Sequence, residues 1–139
     1  MITEIRKWSI NSVFVISFAG IALFQACEDT LLDSKIPDED IPESDVSFQE
    51  HVQPIMTARC SQSGCHDDIT KAGGYSVTSW SNITHPGIVD PYNPNTSRLM
   101  WRIDPGFGFP IMPPISYGYL TDNQITGIET WISEGAHNN

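Results

Sequence analysis

Basic side chains are scarce in this chain. Its 139 residues include 7 Lys and Arg against 17 Asp and Glu, a formal net charge of −10. That balance argues against a surface built to neutralise nucleic-acid phosphates. It also argues against electrostatic docking on anionic lipid. Cysteine is scarce too: three residues rule out a dense disulfide framework. No apolar run reaches the roughly 20 residues that a membrane-spanning helix needs. There is no internal repeat, no Gly-rich phosphate loop and no Ser/His/Asp grouping in a recognisable context. The neighbouring acids Asp67 and Asp68 read as a solvated turn rather than a general acid/base pair. The length points to one folded domain.

The N-terminus reads as an export signal. Arg6 and Lys7 supply positive charge, and Val13 to Phe24 is a mostly apolar run ending just before Ala26-Cys27. Leu23-Phe24-Gln25-Ala26-Cys27 resembles a bacterial lipobox, which implies cleavage after residue 26 and a lipid on Cys27. Residues 1–26 are therefore expected to be a lipoprotein signal peptide. Residues 27–46 are expected to be an acidic flexible tether. Glu28 to Asp45 holds eight acidic residues, Pro37, Pro42 and only four large apolar residues, too few to offset the entropy of ordering. Processing at Cys27 leaves two cysteines, Cys60 and Cys65, a parity that suits an oxidising compartment. The expected address is extracytoplasmic, on the periplasmic or cell-surface face of a bacterial membrane.

Residues 47–139 are expected to fold. Ser47-Phe48-Gln49-Glu50 has the capping-box pattern, and Phe48, Val52, Ile55 and Met56 recur on one helical face. Pro54 should kink this helix or confine its regular part. The helix delivers the chain to Cys60, and Gly64 allows a tight bend before Cys65. From Asp67 to Asn95 no long periodic segment is visible. Gly73-Gly74 marks a turn, and Tyr75, Val77 and Trp80 are candidates for the core. A loop this long is unusual in a small domain, and a large prosthetic group wrapped by it accounts for its length. Asn95 or Thr96 is expected to cap a short helix carrying Leu99, Met100 and Ile103. The clearest element comes last. Thr121 to Gln124 is a second capping box, Ile125, Ile128, Trp131 and Ile132 share a face, and Gly135 is the stop.

The chemistry is concentrated in Cys60-Ser61-Gln62-Ser63-Gly64-Cys65-His66. Two thiols close together can add to the two vinyl groups of a haem, and the histidine that follows offers an imidazole to the iron. Four residues separate the cysteines here, where the usual signature has two. Taken alone, the same residues also fit a zinc half-site or a short disulfide loop. Pro110-Ile111-Met112-Pro113-Pro114 adds a thioether on a stiffened loop, a candidate second axial ligand. His85, before Pro86, is the rival for that position. Met56 and Met100 lie on helical faces and read as core. Trp80 and Trp101 read as packing residues, and His51 and His137 carry no assigned role.

The region from Phe48 to Ala136 resembles small c-type cytochrome domains of the planctomycete-type group. The resemblance runs through Phe48 to Ile55, Cys60 to His66, Gly73 to Trp80, Pro94 to Leu99, Met112-Pro113-Pro114, Leu120 to Ile125 and Trp131 to Ala136. It implies a mainly α fold, a small cytochrome c-like domain of short helices and long loops around one covalently bound haem. It implies haem c attached through Cys60 and Cys65, with His66 as proximal and Met112 as distal iron ligand. The expected function is then a lipid-anchored monohaem electron carrier rather than an enzyme, with a redox protein as partner, the membrane reached through the N-terminal lipid, and no nucleic acid. The alternative is an extracytoplasmic binding module stabilised by zinc or a disulfide, with Cys60, Cys65, His66 and His85 as the metal set. A third reading is a haem enzyme or sensor with a labile sixth ligand.

The intact mass of membrane-extracted protein should begin at Cys27 with diacylglycerol attached. A mature chain starting elsewhere, or one retaining Met1, contradicts lipidation.

Overall fold

The computed structural model describes residues 41–139. The expected signal peptide, Cys27 and most of the expected tether lie outside the described residues. Among the described residues the structure is helical, with turns and no strand. No helix among them is long and apolar enough to cross a membrane.

Helix α1 (48–60) is built from three consecutive pieces, Phe48–Val52, Gln53–Ile55 and Met56–Cys60. The outer two have the wide π register. Gln53 N–H donates to the Phe48 carbonyl and Ser61 N–H to the Met56 carbonyl, five residues back. Pro54 sits in the middle piece. It has no N–H and its ring crowds the preceding turn. The chain answers by widening its register while keeping helical backbone angles at Val52, Gln53, Ile55 and Met56. Phe48, Val52, Ile55 and Met56 are all buried, as their spacing predicts.

The start of α1 departs from the expected capping box in one half. Ser47 Oγ accepts the Glu50 N–H at 3.2 Å, as expected. The Ser47 N–H donates instead to His51 Nδ1 at 3.0 Å, so the imidazole one residue further on takes the place given to Glu50. The free donors of the first turn go to the far end of the chain. Gln49 N–H donates to the Asn139 carbonyl at 3.0 Å and Phe48 N–H to Asn139 Oδ1 at 2.8 Å.

The segment 67–95 is not structureless. It holds a one-turn helix α2 (Trp80–Ile83), capped by Ser79. It also sends Val77, Ile83, Ile88 and Val89 into the core. Single turns leave no periodicity to read, which is why the sequence pattern shows only Val77. Helix α3 (Arg98–Ile103) starts from Ser97, not from Asn95 or Thr96. Asn95 uses its carbonyl to accept the Trp101 indole N–H at 2.7 Å, and Thr96 donates to Asp90. Met100 and Ile103 are buried.

Helix α4 (Asp122–Ser133) has the capping box in full, with Gln124 N–H on Thr121 Oγ1 and Thr121 N–H on Gln124 Oε1, both at 3.2 Å. Its buried face of Ile128, Trp131 and Ile132 meets α1, where the Trp131 and Phe48 rings lie 5.4 Å apart. Packing extends back beyond Ser47. Val46 is buried, Ile41 packs on the core, and the Glu134 carboxylate accepts the Asp45 and Val46 N–H groups. Trp80 and Trp131 fasten the C-terminal stretch by donating to the Ala136 and His137 carbonyls.

Gly135 ends α4 at φ +109°, and a Cβ built there would lie 2.6 Å from the Tyr92 ring. Both backbone and space therefore demand glycine. Gly135→Ala should lower stability by roughly 1–3 kcal/mol, read as a denaturant midpoint shift. An unchanged midpoint would mean that the Tyr92 contact yields freely.

Candidate functional site

The last turn of α1 presents Cys60 and then releases the chain into a short excursion. Cys65 N–H returns to the Gln62 carbonyl at 2.9 Å and His66 N–H to the Cys60 carbonyl at 3.1 Å. Gly64 takes φ +85°, the left-handed bend expected of it. The excursion is then laid against the following segment. Ala72 N–H donates to the Cys65 carbonyl and Val77 N–H to the His66 carbonyl.

Asp67 and Asp68 hold this loop together, a larger role than a solvated turn. Asp67 accepts the backbone N–H groups of Gly64, Ile69 and Thr70. Asp68 accepts the Ser76 and Thr78 hydroxyls at 2.6 and 2.8 Å. Hydrogen bonds to Thr70 hold the Asp67 carboxyl below the usual carboxylate range, and those from Ser76 and Thr78 do the same for Asp68.

One imidazole is oriented by this arrangement. His66 Nδ1 lies 3.3 Å from the Tyr75 carbonyl. A carbonyl only accepts, so Nδ1 is the donor in this bond, and in the neutral ring Nε2 then carries the lone pair. That is how a protein prepares a histidine to ligate a metal.

His66 opens onto a cavity of about 330 Å³. Cys60, His66 and Met112 all line it. Met56, Val77, Ile88, Leu99 and Ile103 supply an apolar wall. Met112 reaches the cavity from a loop tied by its N–H to the Arg102 carbonyl at 2.6 Å, and its side chain remains 40% exposed. Three of the residues singled out by sequence thus converge. Cys65 is half-buried next to His66 but does not line the cavity. His85 does not line it either. It is exposed, with Nδ1 3.1 Å from the Pro86 carbonyl, although Gly87 and Ile88 just beyond it do contribute. Trp80 and Trp101 are also absent from the lining, and Trp101 stacks on Phe109 at 5.5 Å.

The two cysteines are free thiols. Burial, then the neighbouring Cys65, push the Cys60 thiol up to about 12, and Arg59 only partly opposes them. The thiol is therefore neutral across the physiological range. Among the described residues, no three His, Cys, Asp or Glu side chains come together as a metal site. The donor set fits an iron held between one imidazole and one thioether across an apolar space, a set in which the macrocycle supplies the other ligands.

Sequence reasoning missed the two charged lining residues and gave Tyr75 only a place in the core. Arg98 and Arg102 stand one turn apart on α3, and Tyr75 joins them from the opposite segment. The signal was present: the two arginines alternate with the apolar pair Leu99 and Ile103 at helical spacing. No family model, curated protein or solved structure matches the chain.

The Asp67 and Asp68 shifts have a consequence for acid stability. Their folded pKa values lie below the usual 3.8. Such groups stabilise the fold fully above the unfolded value, and that contribution is lost as pH falls through the folded value. Midpoints measured between about pH 2 and 6 should fall towards acid, and Asp68→Asn should flatten part of that slope. Identical slopes in the two proteins would contradict the role given to Asp68.

Proposed function

We propose that this chain is a monohaem c-type cytochrome domain that carries electrons and is tethered to a bacterial membrane through lipid on Cys27. The observation that supports it best is the meeting of Cys60, the oriented His66 and Met112 on one apolar cavity. In this reading Cys60 and Cys65 form the thioether links, His66 Nε2 is the proximal ligand and Met112 the distal one. When bound, the haem supplies a one-electron iron couple. The chain's own residues then bind, orient and shelter. The Tyr75 carbonyl holds the imidazole tautomer, the wall from Met56 to Ile103 excludes water, and the loop 110–114 presents the sulfur. If His66 and Met112 both held the iron, no position would be left for substrate, which favours electron transfer over catalysis. The cofactor is one haem c and the partner a redox protein.

A pyridine haemochrome spectrum of periplasmically matured protein tests this directly, and a c-type spectrum is expected. Cys60→Ala with Cys65→Ala should lose haem staining on a denaturing gel. Met112→Ala should keep covalent haem but lose the weak sulfur-to-iron charge-transfer band of the oxidised protein. Absence of haem from correctly matured wild type would overturn the reading. A band that survives Met112→Ala would move the distal ligand to another residue.

A further inference from the structure

Exposed apolar side chains are gathered in one loop of this protein. Of the seven large apolar residues that stand exposed among the described residues, five fall between Phe109 and Tyr119. Scattered singly such residues need no explanation, but a grouping marks a contact surface. Ile115 is 75% exposed and Tyr117 59%. No acidic, basic or histidine residue occurs from Pro105 to Thr121, although the chain as a whole is acidic. The loop is shaped before anything touches it. Tyr117 N–H donates to the Pro114 carbonyl at 2.8 Å and Gly118 N–H to the Ile115 carbonyl at 3.1 Å, which closes a single turn. At the other end Phe109 stacks on Trp101. Two of the four Lys and Arg residues in 41–139 border the loop. Arg59 Nη1 lies 3.5 Å from the Tyr117 carbonyl and Arg102 Nη1 3.5 Å from the Pro110 carbonyl, long bonds that leave most of each guanidinium's five donors uncommitted.

We propose that the loop 109–119 is a membrane-contact surface that rests on the interface of a zwitterionic phospholipid bilayer, with Arg59 and Arg102 placed for the phosphates. The inference rests on the reading of Cys27 as a lipid anchor and is independent of haem. Tyrosine suits this boundary, because its ring enters the acyl edge while its hydroxyl stays with water and headgroups. Phe109 and Ile115 add apolar area. A loop without carboxylates pays no desolvation for them and meets no repulsion from phosphate. The net charge of −10 opposes an anionic surface, so a zwitterionic one is the match. The tether supplies the rest. Residues 27–40 span at most about 50 Å, so a domain anchored at Cys27 stays within reach of the bilayer. Contacts too weak to hold a free protein then suffice, because a short tether sets an effective concentration on the order of mM. That favours the bilayer over a protein partner, which has to arrive by diffusion.

The test reconstitutes membrane-extracted protein into phosphatidylcholine vesicles doped with a phosphatidylcholine that carries a photoactivatable diazirine on its acyl chain. After illumination, labelled peptides are mapped by mass spectrometry, and intact mass reports the state of Cys27 separately. Peptides from 105–121 should carry several-fold more label than those holding Ile69 or Tyr92, which are exposed apolar residues outside the loop. Ile115→Glu with Tyr117→Glu should bring the loop down to their level while the anchor keeps the protein in the vesicles. Should the double variant fail to fold, Ile115→Glu alone carries the same readout. Equal labelling of the loop, Ile69 and Tyr92 in wild type overturns the proposal and leaves a protein as the loop's occupant. Loop labelling that survives the substitutions in a folded variant overturns it as well. Wild type with no acylated Cys27 overturns the anchor reading and this inference together.

Discussion

The site depends on one hydrogen bond, from the His66 imidazole to the Tyr75 carbonyl at 3.3 Å. A single bond of this kind contributes about 0.5–1.5 kcal/mol net, too little to order a loop on its own. It persists because its two ends are fixed separately. The His66 end is held by its own N–H bond to the Cys60 carbonyl in the last turn of α1 and by the three backbone donors that Asp67 collects. The Tyr75 end is held by Asp68 on Ser76 and Thr78, and by the hydroxyl contact with Arg98. Polar contacts carry this segment because it has few apolar residues to bury. Ile69, the largest of them, is 96% exposed.

The hydrophobic core supplies what the loop lacks. Met56, Val77 and Ile103 belong to the buried core and also line the cavity. The cavity is therefore an unfilled side of the core, not a groove on an independent surface. An apolar occupant would remove that wall from water and bind only the folded chain, so occupancy and stability are coupled. The same construction ties the site to α4, since the Trp131 ring packs on Phe48 of α1 and both belong to the same core as Met56.

Legibility followed the length of each element. The twelve-residue α4, its capping box and its glycine stop could be read residue by residue, because each signal repeats the others. The face of α1 was equally readable, but the second half of its cap was not: Glu50 and His51 are adjacent, and only the fold decides which reaches the Ser47 N–H. Ile83, Ile88 and Val89 were invisible because one-turn pieces and bends have no period. Cys60, Cys65, His66 and Met112 were singled out together in the sequence, and all but Cys65 line the cavity, whereas Arg98 and Arg102 were hidden by totalling charge instead of locating it. An excess of acids in the whole chain says nothing about where its few cations stand.

Placement also weighs the competing chemistry. A zinc site needs several donors at one point, with cysteines deprotonated. Here His85 is exposed and faces the Pro86 carbonyl, whereas His66 and Cys60 line the cavity. The four donors that such a site would draw on are not assembled among the described residues. A short disulfide between Cys60 and Cys65 would staple a loop that Asp67 already closes, and it would leave the cavity without a purpose. Neither alternative uses Met112 or the oriented imidazole of His66. The proposed cofactor, flat and largely apolar, would use each for a separate physical reason: ligation for the imidazole and thioether, and burial for the apolar wall that Met56, Val77 and Ile103 supply.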